Sequence, residues 1–257
     1  MPEESRDPAA LMCKRFLAMI CNDALAARCT NLVVAFDGDK VFRFKLYAKY
    51  KGERGEGSKV YDHLDLVKSY LDEVGIQVIH AREYESDDIL CSIANQGDMV
   101  GGTRDKDSYQ YLRKGVRLFD SSFKVKVGGK MKPAPRFITH EDVPVLLKGL
   151  TAKQSLDYQT LIGDEIDGVP QLVTPARARN GIMEHGTLKA WLAADKTLRR
   201  ELKPKAEQLN LNRKLVRLVP DLKLKLRPIQ WNKDVQSLPN GYANFKTFCN
   251  PRSKGLF

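Results

Sequence analysis

Eight carboxylates stand in four short clusters along the chain. They are Asp37 in VVAFDGD, Glu85, Asp87 and Asp88 in YESDD, Asp105 and Asp107 in TRDKD, and Asp164 and Asp167 in GDEID. Each cluster follows a stretch whose pattern ends a strand or begins a helix. Acids gathered in one place repel each other unless hard cations sit between them, and carboxylate oxygens with retained water suit Mg²⁺ or Mn²⁺. The chain around them is basic, with a net charge of +11. A metal site that works on a polyanion is the chemistry this implies. Each cluster alone has a plainer use. The YESDD acids favour a helix N-terminus, where Glu85 and Asp88 share one face and Asp87 points elsewhere. The TRDKD acids can cap a helix beginning at Ser108, and the GDEID acids can form a turn.

The elements that must position these acids alternate between strand and helix. An amphipathic helix is expected from about Pro8 to Arg28, then a buried β-branched strand over Asn31–Phe36 ending at Asp37. A second helix spans about Val60 to Val74, with a strand at Gln77–His80, and YESDD opens the next helix. Residues from Met99 to Gly102 lead into TRDKD, and a basic hairpin is expected over about Val116–Met131 around Gly128-Gly129. From Thr139 onward the pattern is helical, broken at Gly149, at Gly163–Pro170 and at Gly181. This alternation argues an α/β domain with a mostly parallel sheet, whose working site lies at the carboxyl ends of the strands.

Composition narrows the function classes. Residues 1–144 hold 23 Lys/Arg against 22 Asp/Glu, and residues 145–257 hold 20 against 10. The second half is therefore the expected electrostatic footprint for nucleic acid. A further basic stretch, KVFRFKLYAKYKGERGEGSK, interleaves Lys and Arg with Phe and Tyr. The five cysteines lack CxxC spacing, so neither a disulfide framework nor a zinc site is expected. No apolar run is long enough to span a membrane, and the acidic N-terminus MPEESRDPAALM does not suit a signal peptide. A cytoplasmic protein is expected.

In their order, FDG, VFR…YKGER, YESDDIL, TRDKDSYQYL, ITHEDV…GLTAKQSLDYQTLIGDEIDGVP and NRKLVRLVPDLKL resemble the 5′-nuclease family of flap endonucleases and 5′→3′ exonucleases. The family includes the N-terminal domain of bacterial DNA polymerase I and free-standing phage enzymes. The resemblance runs from about Asn31 to Leu226. It implies an α/β, PIN-like core with a mostly parallel central sheet over residues 1–138 and a basic arch at about 40–59. A helical, helix–hairpin–helix-type DNA-binding region follows over 139–257. It implies that Asp37, Glu85, Asp87 and Asp88 group around one divalent ion and that Asp105, Asp107, Asp164 and Asp167 group around a second, with Mg²⁺ or Mn²⁺ as cofactor. Lys51 and Arg54, with Arg43 upstream, match the arch cations that contact the reacting phosphate. Lys49 and Tyr50 would contact DNA, Tyr50 by stacking on a base or by packing against the arch. The partner implied is DNA with 5′ flaps or nicks, including RNA–DNA junctions, and any polymerase would be a separate chain. A monomer and a K⁺ ion at the helix–hairpin–helix complete the picture.

Two departures stand out. The family's glycine-rich hairpin turn is replaced by GVPQLVTPARARNGI, so Thr174, Arg177 and Arg179 are expected to supply side-chain contacts to phosphate. The family also opens with a strand carrying an Asp that helps hold the first metal, and MPEESRDPAALM contains no such strand. Either the chain starts inside a longer reading frame, or another chain supplies the acid, or the first metal site is weakened. Asp7, Asp23 and Asp39 are candidate substitutes, though none ends a suitable first strand. Two rival readings remain. A haloacid-dehalogenase-type phosphatase would use Asp37 as nucleophile and Asp39 as acid, yet it leaves YESDD, TRDKD and YKGER unexplained. A non-catalytic, structure-selective DNA-binding protein would retain a vestigial metal site.

Overall fold

The strand expected at Asn31 forms as β1 (Asn31–Phe36), and it pairs in parallel with β2 (Gln77–His80), Val33 facing Gln77 and Phe36 facing His80. A computed structural model describes residues 16, 19–29, 31–39, 41–52, 64–73, 76–227 and 229–230. The chain divides into two compact units. One comprises residues 1–36, 56–80 and 225–257, and the other comprises 37–55 and 81–224. All eight acids and the helices after Thr139 therefore fall in the second unit.

In the first unit, helix α1 (residues 19–26) and α3 (Leu64–Glu73) cover the sheet. α3 follows the expected apolar spacing. Val67 and Leu71 from α3 pack with Cys21, Ala24 and Ile76, and against this cluster lie Leu32, Val34 and Phe36 of β1. A short antiparallel partner, β8 (Ile229–Gln230), completes the order β2-β1-β8. The starts of both expected helices, at Pro8 and Val60, lie outside the described residues.

The second unit begins with the short helix α2 (Phe42–Leu46) and continues through α4 (Ser86–Gln96), β3 (Met99–Gly101) and a 3₁₀ helix (Lys106–Tyr111). β4 (Val116–Asp120) pairs in parallel with β3 and antiparallel with β7 (Arg136–Ile138). The two three-stranded sheets among the described residues are thus mixed, each with one parallel pair and one antiparallel strand, rather than mostly parallel. The expected hairpin is also displaced. Val116, Leu118 and Phe119 of β4 are buried in the sheet, and the hairpin proper is β5 (Lys124–Val127) with β6 (Lys130–Pro133), exposed throughout. Apolar alternation with buried partners drew β4 into the core, and the lysine alternation kept β5 and β6 outside it.

After α5 (Val143–Leu146), the helices α6 (Ser155–Ile162), α7 (Pro175–His185), α8 (Leu188–Ala194), α9 (Lys196–Leu202) and α10 (Ala206–Val216) pack on one another. Their shared core contains Leu150, Leu161, Ile182, Trp191 and Leu198. Gly181 does not break a helix as expected. It sits inside α7, where a Cβ would lie 2.3 Å from the Trp191 ring, so its smallness serves helix–helix packing. No helix among the described residues is long and apolar enough to cross a membrane.

Candidate active site

Asp37 follows β1 directly and is brought to the start of α4 by two backbone hydrogen bonds. The Gly38 N–H donates to the Tyr84 carbonyl at 2.8 Å, and the Phe42 N–H donates to Glu83 at 2.9 Å. A Cβ on Gly38 would lie 2.4 Å from the Arg82 carbonyl oxygen, so the approach of the two loops requires glycine. At the resulting junction, Asp37 Oδ1 accepts from the Ser86 N–H at 2.7 Å and from its hydroxyl at 2.6 Å.

Glu85 is the N-cap of α4 and forms a capping box with Asp88. Asp88 is fully buried, and its carboxylate is clasped by Arg43, Nη1 at 2.5 Å and Nη2 at 2.8 Å. Arg43 itself is 1% exposed and donates its remaining hydrogen bonds to the carbonyls of Leu215 (2.7 Å) and Arg217 (2.8 Å). Burial by itself would favour loss of the Arg43 proton. The hydrogen bond and charge of Asp88, with the charge of Glu85, outweigh it and hold the guanidinium charged. Two of the expected site residues are thus engaged with each other. Arg43 is an interior cation that ties α2 to α4, not a side chain lying open to a phosphate, and both Asp88 oxygens are already engaged by it. An apolar helix-starting context at Val41 and Phe42 turned Arg43 inward, where only a carboxylate could balance it.

Asp87, expected to point away, is the residue of this run that faces the other acids. Burial, and then the charges of Asp105, Asp37 and Glu85, push its carboxyl up to about 7. A second group forms around the 3₁₀ helix. Asp105 is its N-cap and accepts from the Asp107 N–H at 2.9 Å. Burial, and then the charges of Asp105, Asp164, Asp87 and Asp167, push Asp107 up to about 8. Asp164 and Asp167 come from a tight loop after α6. Gly163 enters it at a φ of 65°, where a Cβ would lie 2.3 Å from the Val169 carbonyl oxygen. The Asp164 carboxylate accepts from the N–H groups of Ile166 (2.9 Å) and Asp167 (3.2 Å), so it builds its turn and also faces Asp107.

The basic segment folds back onto these acids. Lys51 holds a left-handed backbone (φ 54°), its N–H donates to the Asp167 carbonyl at 3.0 Å, and its ammonium is ion-paired with Glu85. The Tyr50 hydroxyl donates to Glu85 at 3.0 Å and lies 3.4 Å from an Asp167 oxygen. Its ring is buried edge-on against Phe44. Lys49 is exposed, and Arg54 lies outside the described residues. Thr174 and Arg177 line an open groove of about 900 Å³ that includes none of the eight acids, and Arg177 pairs there with Glu201 at 2.6 Å. Arg179 is half-buried on the same helix. Among the proposed substitutes for a first acid, Asp23 lies on α1 of the first unit, Asp39 is exposed beside Asp37, and Asp7 is outside the described residues.

Sequence reasoning missed Ser86 and the pair Gln110 and Gln159. Gln159 donates to Asp107 Oδ1, and Gln110 bonds to Gln159 at 2.7 Å. Neutral amides carry no charge pattern, so no signal in the chain marked them. Among the described residues, no three His, Cys, Asp or Glu side chains converge closely enough to hold an ion as they stand. Asp87 and Asp107 are nonetheless both raised by burial and by the acids around them. These carboxylates repel across a partly buried space, and a hard divalent cation is what relieves such repulsion. The donor set, oxygen only and rich in charge, fits Mg²⁺ or Mn²⁺.

Three comparisons bear on this site. The family model for the 5′-3′ exonuclease N-terminal resolvase-like domain matches residues 4–140. A 5′-3′ exonuclease of Aquifex aeolicus is 29% identical over 221 residues, 82% of this chain and 72% of that protein. DNA polymerase I of Streptococcus pneumoniae is 27% identical over 179 residues, 62% of this chain but only 18% of the polymerase. A bacteriophage T5 flap endonuclease, solved as a pseudo-enzyme–product complex with DNA and metal ions, superposes with a TM-score of 0.61 at 17% identity, covering 92% of this chain and 88% of that one. The eight acids, the 5′-nuclease fold and the family match agree, and the chain belongs to the 5′→3′ exonuclease family of nucleases.

Proposed function

We propose that this protein is a divalent-metal-dependent 5′→3′ exonuclease and flap endonuclease that hydrolyses phosphodiester bonds in branched or nicked DNA. Primer and flap removal during replication, beside a separate polymerase, is the role that fits this activity. The single observation that carries the reading is the gathering of acids from four separate segments, with Asp105, Asp37 and Glu85 acting on Asp87 and with Asp105, Asp164, Asp87 and Asp167 acting on Asp107. In this reading Asp37, Glu85 and Asp87 hold one ion and Asp105, Asp107, Asp164 and Asp167 hold a second, while Asp88 serves Arg43. Bound Mg²⁺ or Mn²⁺ supplies activation of a water and charge relief at the scissile phosphate.

The chain's own residues do the rest. Lys51 leaves Glu85 to meet the charge that builds on the phosphate oxygens, and a fixed cation there lowers the barrier. Tyr50 ties Glu85 to the Asp167 loop and so holds the two acid groups in register. Lys124, Lys126, Lys130 and Lys132 project from both faces of the exposed β5–β6 hairpin, with no acid between Asp120 and Glu141. Their footing is close to the acids, because Arg104, next to Asp105, donates to Ser122 at 2.8 Å. They contact the duplex backbone, as do Thr174, Arg177 and Arg179 at the α6–α7 hairpin, where a K⁺ ion would also sit. Such contacts give affinity without sequence readout. The test is Mg²⁺-dependent cleavage of a 5′-labelled flap. Asp105→Ala or Asp164→Ala should abolish cleavage and spare DNA binding. Unchanged turnover in either variant would sink the metal assignment, and flap binding without cleavage by the parent chain would leave only a structure-selective binder.

A further inference from the structure

Where α10 runs out into extended chain, the backbone groups of residues 215–219 alternate between two targets. The carbonyls of Leu215 and Arg217 accept from Arg43, and the Val219 N–H donates to Asp88 at 3.0 Å. The groups between them turn to Gln110: the Val216 carbonyl accepts from its Nε2 at 2.8 Å, and the Leu218 N–H donates to its Oε1 at 3.3 Å. Leu215 and Val216 are the last residues of α10, and from Arg217 onward the alternation is the period of two that extended backbone produces. One strap therefore holds both the Arg43–Asp88 pair under the first acid group and Gln110 under the second.

The strap also fixes a direction. A backbone N–H can only donate and a carbonyl can only accept, so the oxygen and nitrogen of the Gln110 amide cannot exchange. Its nitrogen then faces Gln159 Oε1, which turns the Gln159 nitrogen toward Asp107. Gln159 is buried, so water does not compete for this amide. We infer that Gln159, locked by Gln110 and the 216–218 backbone, is a positioning residue that engages Asp107 Oδ1 and leaves Oδ2 to the cation. This rests on the metal reading proposed above. Without the lock, repulsion from Asp105, Asp164 and Asp167 is free to rotate the Asp107 carboxylate out of line. Loss of a partner that orients a metal-bound carboxylate commonly costs about 10–100-fold in metal affinity.

The test is Mn²⁺ binding to the full chain without DNA, read as unbound Mn²⁺ by electron paramagnetic resonance, with melting in EDTA alongside. Gln159→Met keeps the volume and removes the donor. It should weaken at least one Mn²⁺ by about tenfold and raise the Mg²⁺ half-saturation of flap cleavage in parallel. Gln110→Met touches no acid and should shift both readouts in the same direction by less. Mn²⁺ affinities within about twofold of the parent in both variants, whatever the change in melting, would overturn the inference and leave the amides as packing. If Gln159→Met does not fold, Gln110→Met decides alone by the same criterion. A parent chain that binds no Mn²⁺ would overturn the metal reading itself, and the inference with it.

Discussion

Asp107→Asn should make the metal-free protein more stable while destroying its activity. The Asp107 carboxyl is pushed from its ordinary 3.8 up to about 8, by burial and then by the neighbouring acids. Between those values the folded state binds a proton that the unfolded chain has released, so stability falls as pH rises across this window. Each pKa unit corresponds to about 1.4 kcal/mol, which sets a ceiling of roughly 4 kcal/mol at neutral pH. Asp107 is only half shut off from water, and solvent screening reduces the recoverable part to about 1–2 kcal/mol. Asparagine is isosteric, cannot ionise, and keeps an oxygen to accept from Gln159. Melting in EDTA at pH 8 should therefore be about 3–6 °C higher for the variant. The gap should close near pH 4, where both side chains are neutral. Mg²⁺ should reverse the order, because the parent gains about 2.7 kcal/mol at a hundredfold excess over its dissociation constant and the variant gains less. A variant that melts no higher than the parent in EDTA at pH 8, or a gap of equal size at low pH, would refute the reasoning.

Three other outcomes are expected. Asp88→Asn leaves the buried Arg43 with Glu85, 3.0 Å away, as its remaining carboxylate partner and should cost about 3–5 kcal/mol, with or without Mg²⁺, while the double change Arg43→Met with Asp88→Leu should regain most of it. An Asp88→Asn protein with unchanged melting but weakened Mn²⁺ binding would return Asp88 to the metal set. Lys51→Ala should slow single-turnover cleavage by about a hundredfold while flap affinity changes far less; a loss confined to affinity would make Lys51 a docking contact. Changing Lys124, Lys126, Lys130 and Lys132 together to Gln should flatten the plot of log affinity against log salt by up to about 0.9 per lost phosphate contact, and an unchanged slope would show the hairpin to be merely solvated.

The acids could be read from the chain because charge is conspicuous and the elements before them are locally encoded. NLVVAF, QVIH and the apolar spacing of α3 each carry their own periodicity, and the structure forms β1, β2 and α3 there. Spacing along a helix could not say which YESDD acid faces the cluster. Asp87 and Asp88 are neighbours in sequence, and an arginine from α2, 45 residues before Asp88, decided that Asp88 would be spent on an interior ion pair. The same holds for β4, whose partners β3 and β7 lie on either side of it in the chain and drew it away from the lysine hairpin. Chain order supplied the metal chemistry and the basic surface. Tertiary structure decided which acids remain available to a cation, because only long-range contacts such as Arg43–Asp88 and Gln159–Asp107 satisfy some carboxylate oxygens and leave others facing one another.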